Sequence, residues 1–419
     1  VSEGWVELRV ERLGESGEGI ARGPDGVILI PGALPGELVR ARVDRRTRVA
    51  TDIAWMESSP RRLTAPCPVA DRCGGCDWLH VPAEVQREAR MASLRRALPV
   101  GVREMDIAYT EAPRQLGYRT RARIAWKVQA GRARFGHRAR GSREVIDSVS
   151  CAVMDPVLEG ALAPIRAAVT VIGGQGEVFI ARGAGGLPVA TLRSECAIDR
   201  GGFEAAETLF AQGFAGVELY PSGASAPAIY GDPRPVIEGA DGLPLTLAPE
   251  GFAQGNESLN LVLARYVHAQ ARGEGRRVLE LFAGAGNFTV LLAPSARRVS
   301  AVELDARAIR ALQGNVAARG LNNVSARACE AIEALSSGVR DDVVVLDPPR
   351  QGASDACARL GADPPRRLVY VSCDPATFGR DAERLSAGMT IESLAAFEMF
   401  PQTAHVEVVG TFVRRAGRR

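Results

Sequence analysis

The sequence contains no long apolar run. Stretches such as Val343 to Leu346 fall far short of the ~18 to 20 residues that cross a membrane, and no segment reads as a signal peptide. Membrane and secreted classes are set aside, and the chain is expected in the cytoplasm. Lysine is nearly missing: the basic residues are almost all arginine, with Lys127 the exception, so any cationic surface is an arginine surface. There is no large charge excess either, since a net charge of +3 and a pI near 8.5 permit a nucleic-acid partner without demanding one. Internal repeats and low-complexity tracts are absent, and eight cysteines in a reducing compartment are not expected to form disulfides.

A chain of 419 residues is too long for one compact domain, and 46% hydrophobic with 24% charged residues is the balance of a globular protein. Three strands of buried type end in polar chemistry. Leu368 to Ser372 runs into Cys373-Asp374-Pro375, Val343 to Leu346 into Asp347-Pro348-Pro349-Arg350, and Val278 to Leu281 into the glycine turn Phe282 to Phe288. In an open doubly wound sheet such ends line one crevice, where ligands bind. Cysteine attacks carbon only as thiolate, so Cys373 needs a positive field or a base to act.

In chain order, residues 1 to 57 read as a small β-barrel of short strands punctuated by glycine and proline, crowded by Arg40, Arg42, Arg45, Arg46 and Arg48. Cys67, Cys73 and Cys76 follow with C-x5-C-x2-C spacing around Gly74-Gly75, and Cys151 is a candidate fourth ligand. Such thiolates suit zinc or an iron-sulfur cluster. A helix is predicted over Ala83 to Leu98. Residues 58 to 242 are mixed α+β, and from Arg114 to Arg143 basic residues occur without an acid, interleaved with Tyr118, Trp126 and Phe135 as candidate stacking rings. From 243 to 419 helix and strand alternate as in a parallel α/β sheet. A helix is predicted from Asn256, another opens at Asn287, and the strand Val299 to Glu303 ends on an acid placed to accept both hydroxyls of a ribose. A late strand is predicted over Ala404 to Val409. Thr289 stands where a dinucleotide fingerprint needs glycine or alanine, and a class I methyltransferase sheet uses the same strand, turn and acid for S-adenosylmethionine.

With those residues assembled, the sequence resembles the uracil-C5 RNA methyltransferase family, in particular its iron-sulfur members that modify ribosomal RNA. The resemblance spans nearly the whole chain. Residues 1 to 57 resemble a TRAM domain; Cys67, Cys73, Cys76 and Cys151 match the ligands of a 4Fe-4S cluster; Gly251 to Asn256 match a motif near the cofactor. Leu281 to Phe288, Asp347 to Arg350, Ser372 to Thr377 and Phe400 to Glu407 match in order and type. Ala283 stands where the family often has cysteine, and Asp374 where it usually has asparagine, adding a negative charge beside Cys373 that raises the thiol pKa unless it is turned away or paired.

The resemblance implies a Rossmann-like class I methyltransferase sheet behind an OB-like barrel and a mixed central domain. It implies Cys373 as nucleophile on carbon 6 of uracil, Glu407 as the base for the carbon-5 proton, and Asp347 holding the uracil edge or the methionine end of the cofactor, with Arg350 favouring the enolate. Gln254, Phe282, Asn287, Glu303 and Asp347 would contact S-adenosylmethionine. His405 is the alternative base, with a packing role open to it as well, and Asn287 is also read as a helix cap. The expected partner of this monomer is RNA, ribosomal or transfer, with its target uridine unstacked. A C-x3-C-x2-C triplet is missing, which argues against radical chemistry at the cluster. Adenine-N6 and cytosine-C5 enzymes are the rival chemistries, but Arg350 after the two prolines and Ser372 before the cysteine differ from their patterns. A non-catalytic RNA-binding iron-sulfur protein is the rival of another class; it would have no use for Cys373 and Glu407 together.

Overall fold

The computed structural model describes residues 4–336 and 338–416. Its first unit is a five-stranded antiparallel sheet in the order Gly26–Ile30, Gly19–Gly23, Val6–Leu13, Leu38–Val43, Ala50–Glu57. Alternation in Val6–Leu13 turns Leu8 and Val10 inward and Glu7, Arg9 and Glu11 outward. The outer strands meet at a bridge between Leu29 and Val49, closing a barrel around Leu8, Val10, Ile28, Ile30 and Val39. Arg40 and Arg42 lie 5.6 and 5.7 Å from the ring of the exposed Trp5.

The central sheet has six strands, ordered Ala228–Gly231, Gly216–Tyr220, Pro188–Ser194, Gln175–Arg182, Arg121–Gln129, Arg132–Gly136. Helices Pro156–Ile172 and Arg200–Ala211 share its core. The first opens on an Asp155 cap with Pro156 at the following position. This core also takes Trp126 and Phe135, two of the aromatics read as stacking rings, and Tyr118 is buried as well. Trp126 and Phe135 are 1% and 0% exposed and Tyr118 is 6% exposed, its hydroxyl donating to the Pro401 carbonyl at 2.9 Å. They pack the fold, and the exposed part of that stretch is its arginines, such as Arg132 and Arg134.

The third sheet has eight strands: Val324–Ala328, Arg298–Glu303, Arg277–Leu281, Val343–Leu346, Arg367–Ser372, Glu407–Arg414, Met389–Phe397, Ile107–Thr110. The first five are parallel, and Glu407–Arg414 runs antiparallel to both its neighbours. Val343–Leu346 and Arg367–Ser372 are buried throughout, as their near-continuous apolar sequence requires when helices cover both faces. Helices Ala83–Ala97, Ser354–Ala362 and Pro375–Leu385 supply one face, and Glu257–Ala271 with the short Thr289–Leu292 the other. Two pieces of this layer come from before residue 243: the edge strand Ile107–Thr110, paired to Met389–Phe397, and helix Ala83–Ala97. That helix ends tightly on Pro375–Leu385; a Cβ at Gly379 would lie 2.0 Å from the Ala97 carbonyl oxygen. Among the described residues no helix is long and apolar enough to cross a membrane.

Candidate active site

The strand order reverses between Arg277–Leu281 and Val343–Leu346, and the polar strand ends collect in the crevice at that switch point. Phe282 follows the first strand at φ +62°, a left-handed conformation that a bulky residue adopts only where its surroundings impose it. Gly284 and Gly286 continue the turn at φ +53° and +95°. The turn is held from the neighbouring strand: Glu303 accepts from Gly284 N–H at 3.0 Å through one oxygen and from Asp305 N–H at 2.9 Å through the other. Each oxygen keeps a second lone pair for a ligand hydroxyl.

Asn287 is not a cap. Its amide exchanges two hydrogen bonds with that of the buried Asn260, at 2.9 and 3.0 Å, and the helix begins only at Thr289, four residues long. Asn256 is the cap in this region, for helix Glu257–Ala271. Gln254 is buried just before it. The Gly251 to Asn256 segment is pinned to the central sheet: Arg121 donates to the Gly251 carbonyl, and Thr120 N–H to the Gly255 carbonyl at 2.9 Å.

Cys373 stands one residue beyond strand Arg367–Ser372, half-buried. Burial pushes its thiol up to about 12, reinforced by Glu407 and Asp347 and opposed by Arg350. Asp374 caps helix Pro375–Leu385 by accepting from Thr377 N–H at 2.8 Å, and its charge still adds to the upward push on the Cys373 thiol. Asp347 keeps part of its surface open to the crevice, yet burial of its carboxyl pushes it up to about 7. Glu407 is 1% exposed, and neither of its carboxylate oxygens has a hydrogen-bond partner. Burial, then the nearby Asp347, holds it well above the ordinary carboxylate range.

A third carboxyl joins them. Glu280 is 1% exposed, accepts from Thr289 Oγ1 at 2.5 Å, leaves its other oxygen unpaired, and is pushed up to about 8 by burial, with Asp347 adding to the effect. Sequence reasoning passed over it, although an acid inside the apolar run Val278 to Leu281 was a signal. Arg350 Nη2 lies against both ring nitrogens of His405; burial, then Arg350, lowers the imidazole pKa.

The predicted strand from Ala404 begins only at Glu407. The residues before it form a turn whose backbone is claimed from elsewhere in the chain. Arg90, 0% exposed, donates to the Thr403 carbonyl at 2.8 and 3.1 Å and to Glu398 at 2.7 Å. Gln86 and Gln402 exchange bonds at 3.0 and 3.1 Å, and Gln402 sits at φ +67°.

Away from the crevice, Cys67, Cys73, Cys76 and Cys151 line one cavity with His137, all four half-buried. Gly75 N–H points at Cys73 Sγ, 3.4 Å away, and a Cβ at Gly74 would lie 3.1 Å from the Arg138 carbonyl oxygen. Burial raises Cys73, and Cys76 to about 12, and the nearby thiols of the set raise both further. Among the described residues no three His, Cys, Asp or Glu side chains are grouped as ligands of one metal ion. Cys196 is exposed, Cys329 half-buried and Cys357 buried, apart from the four.

A sheet of this order, with its glycine turn, the acid on the adjacent strand and a polar motif ending the fourth, defines a class I methyltransferase. Residues 245–416 match the family model described as tRNA (Uracil-5-)-methyltransferase, and residues 5–48 match the TRAM domain. The 23S rRNA (uracil(1939)-C(5))-methyltransferase RlmD of Chromohalobacter salexigens is 36% identical, over 96% of this chain and 87% of that protein. Its namesake from Halomonas elongata is 37% identical, over 97% and 89%. Among solved structures, the Pyrococcus abyssi tRNA (uracil-54, C5)-methyltransferase in complex with S-adenosyl-L-homocysteine is similar in fold, with TM-score 0.78 and 22% identity, over 97% of this chain and 100% of that one. The chain belongs to the RNA uracil-C5 methyltransferase family.

Proposed function

We propose that the protein methylates carbon 5 of a uridine in 23S ribosomal RNA, the substrate in the relatives' names, with S-adenosylmethionine as donor. The observation that carries this reading is the meeting of Cys373, Asp347 and Glu407 at the end of three adjacent strands, beside the Phe282 to Asn287 turn. Bound S-adenosylmethionine supplies an electrophilic methyl group. Gln254, Phe282, Asn287, Glu303 and Asp347 would hold it.

Carbon 5 of uracil is a poor nucleophile until carbon 6 is attacked. Cys373, as thiolate, adds its sulfur to carbon 6, and the ring electrons shift into an enolate that Arg350 stabilises. Carbon 5 would form the new bond to the methyl carbon as that carbon's bond to the donor's sulfonium sulfur breaks, the electron pair staying on sulfur and the demethylated donor leaving as a neutral thioether. Glu407 removes the carbon-5 proton; that electron pair restores the ring double bond, and the carbon 6–sulfur bond breaks with its electrons returning to Cys373. The burial that raises Glu407's proton affinity makes it a strong base once ionised. Barrel arginines and the exposed Arg132 and Arg134 grip phosphates without reading sequence. The protein acts as a cytoplasmic monomer, in three units spanning about residues 1–57, 58–242 and 243–419. Mapping 5-methyluridine in 23S ribosomal and transfer RNA, with the gene present and deleted, tests the substrate. Loss from transfer RNA alone would move the activity there.

Cys67, Cys73, Cys76 and Cys151 hold a 4Fe-4S cluster in this reading. Their sulfurs line one cavity, and the C-x5-C-x2-C spacing with a fourth cysteine suits such a cluster, with zinc as the alternative. Anaerobic purification should yield iron and sulfide in equal amounts, and stoichiometric zinc without iron would end the proposal. A Cys151→Ser variant should lose iron and melt at lower temperature, because ligand binding is coupled to folding.

A further inference from the structure

Glu407 needs a defined position to act as base, yet no hydrogen bond holds its carboxylate. Its place is therefore set by its backbone, which enters the sheet opposite Phe397 directly from the turn Phe400 to Val406. The turn is anchored on the segment that carries the cysteines. Asp77 N–H and Trp78 N–H both donate to the Gln402 carbonyl, at 2.8 and 2.9 Å. The Asp77 carboxylate accepts from Ala404 N–H through Oδ2 at 3.2 Å, and from Arg140 through Oδ1 at 2.5 Å. Arg140 also donates to the Cys76 carbonyl at 3.0 Å, so one guanidinium ties the residue beside the cavity to the carboxylate that grips the turn. On the far side of Ala404, His405 N–H donates to Thr403 Oγ1 at 3.3 Å, and Thr403 Oγ1 donates to the Phe400 carbonyl at 2.7 Å.

From this arrangement we infer that Asp77 is a positioning residue for proton removal: it fixes the Ala404 peptide, and with it the approach of Glu407 to carbon 5, without touching substrate. The inference rests on the assignment of Glu407 as base under Proposed function. Asp77 bears on the last chemical step alone, because Cys373 is delivered by a different strand, Arg367–Ser372, and its following helix. Loss of the carboxylate should therefore leave attack and methyl transfer intact and slow release of the product.

The experiment uses the full-length protein with its metal, radiolabelled methyl donor and substrate RNA, comparing Asp77→Ala, Asp77→Asn and Glu407→Gln. Adduct formation and adduct resolution are followed separately on denaturing gels, with iron content and RNA affinity measured for each variant. Asp77→Ala should bind RNA and iron as the unaltered protein does and form the labelled adduct at its rate. It should resolve that adduct about tenfold or more slowly, the scale of a misplacement costing one to two hydrogen bonds. Asp77→Asn should recover most of the rate, since its amide oxygen still accepts from Ala404 N–H. Resolution at the ordinary rate in Asp77→Ala would overturn the inference. So would a joint loss of iron, RNA binding and adduct formation in both Asp77 variants, which would make the residue a general structural one. Glu407→Gln reports on the base itself: if it clears its adduct normally, the base assignment falls and this inference with it, whereas an adduct trapped in Glu407→Gln beside an unaffected Asp77→Ala rejects only the latter.

Discussion

Cys373→Ala should form no covalent complex with RNA and transfer no methyl group, whereas Glu407→Gln should attack, methylate and then stall as a labelled protein-RNA adduct. In the proposed mechanism the two residues act at opposite ends of the reaction, so the variants separate steps that a single turnover number merges. Removing the sulfur leaves carbon 5 unactivated; removing the base leaves the carbon 6–sulfur bond with no means of breaking. A denaturing gel with labelled donor reads both. Turnover in Cys373→Ala would dismantle the mechanism. Absence of a labelled adduct in Glu407→Gln would move the base elsewhere, with His405 first to test. The thiol at about 12 adds a pH arm: around neutral pH only a small fraction is thiolate, so adduct formation should quicken with rising pH, by up to about tenfold per unit where deprotonation limits it.

Arg90→Leu should destabilise the C-terminal sheet by about 3–5 kcal/mol, the cost of stranding one member of a buried ion pair. Arg90 and Glu398 have side chains 0% and 3% exposed. Without the guanidinium, Glu398 keeps only Ala112 N–H and Gln115 Nε2, each at 3.0 Å, and the Thr403 carbonyl loses both its donors. Hydrogen exchange of strand Glu407–Arg414 and the thermal midpoint both measure the loss. Adding Glu398→Gln should restore part of it, because the uncompensated charge is gone while an acceptor for Ala112 remains. A single variant as stable as the original protein would show that the pair contributes nothing.

Much of the C-terminal sheet was legible because its strands are short apolar runs bounded by glycine, proline or acid, a pattern that leaves little choice of boundary. Cys373, Asp347 and Glu303 could be placed for the same reason: each stands at a strand end, and strand ends in such a sheet share one crevice. The turn before Glu407 was harder. Ala404 to Val409 reads as a strand in the sequence, but Phe400 to Val406 forms a turn whose backbone partners are Asp77, Gln86 and Arg90, more than three hundred positions earlier in the chain. Tyr118, Trp126 and Phe135 were misread because interleaving with arginine looks alike on an open surface and on a strand with one buried face. For Trp126 and Phe135 the partner layer, helix Pro156–Ile172, decides between them, and for Tyr118 the Pro401 carbonyl that its hydroxyl reaches. Asn287 fell to the same limit, since its partner Asn260 lies on a helix one strand away.

Strand Ile107–Thr110 has a consequence for how the chain is made. It leaves the ribosome early, but among the described residues its ladder partner is Met389–Phe397, nearly three hundred residues later, so Ile107–Thr110 waits unpaired until synthesis is almost complete. Closing a loop of that size is slow, and until it closes the apolar edge Leu394 to Phe397 lacks its cover. A fragment beginning at residue 243 inherits that edge permanently and should aggregate, whereas one that retains residues 83–110, or receives them as a separate peptide, should remain dispersed in light scattering. The methyltransferase sheet is in this sense assembled by its own N-terminal half, and the order of translation delays its completion to the last strands.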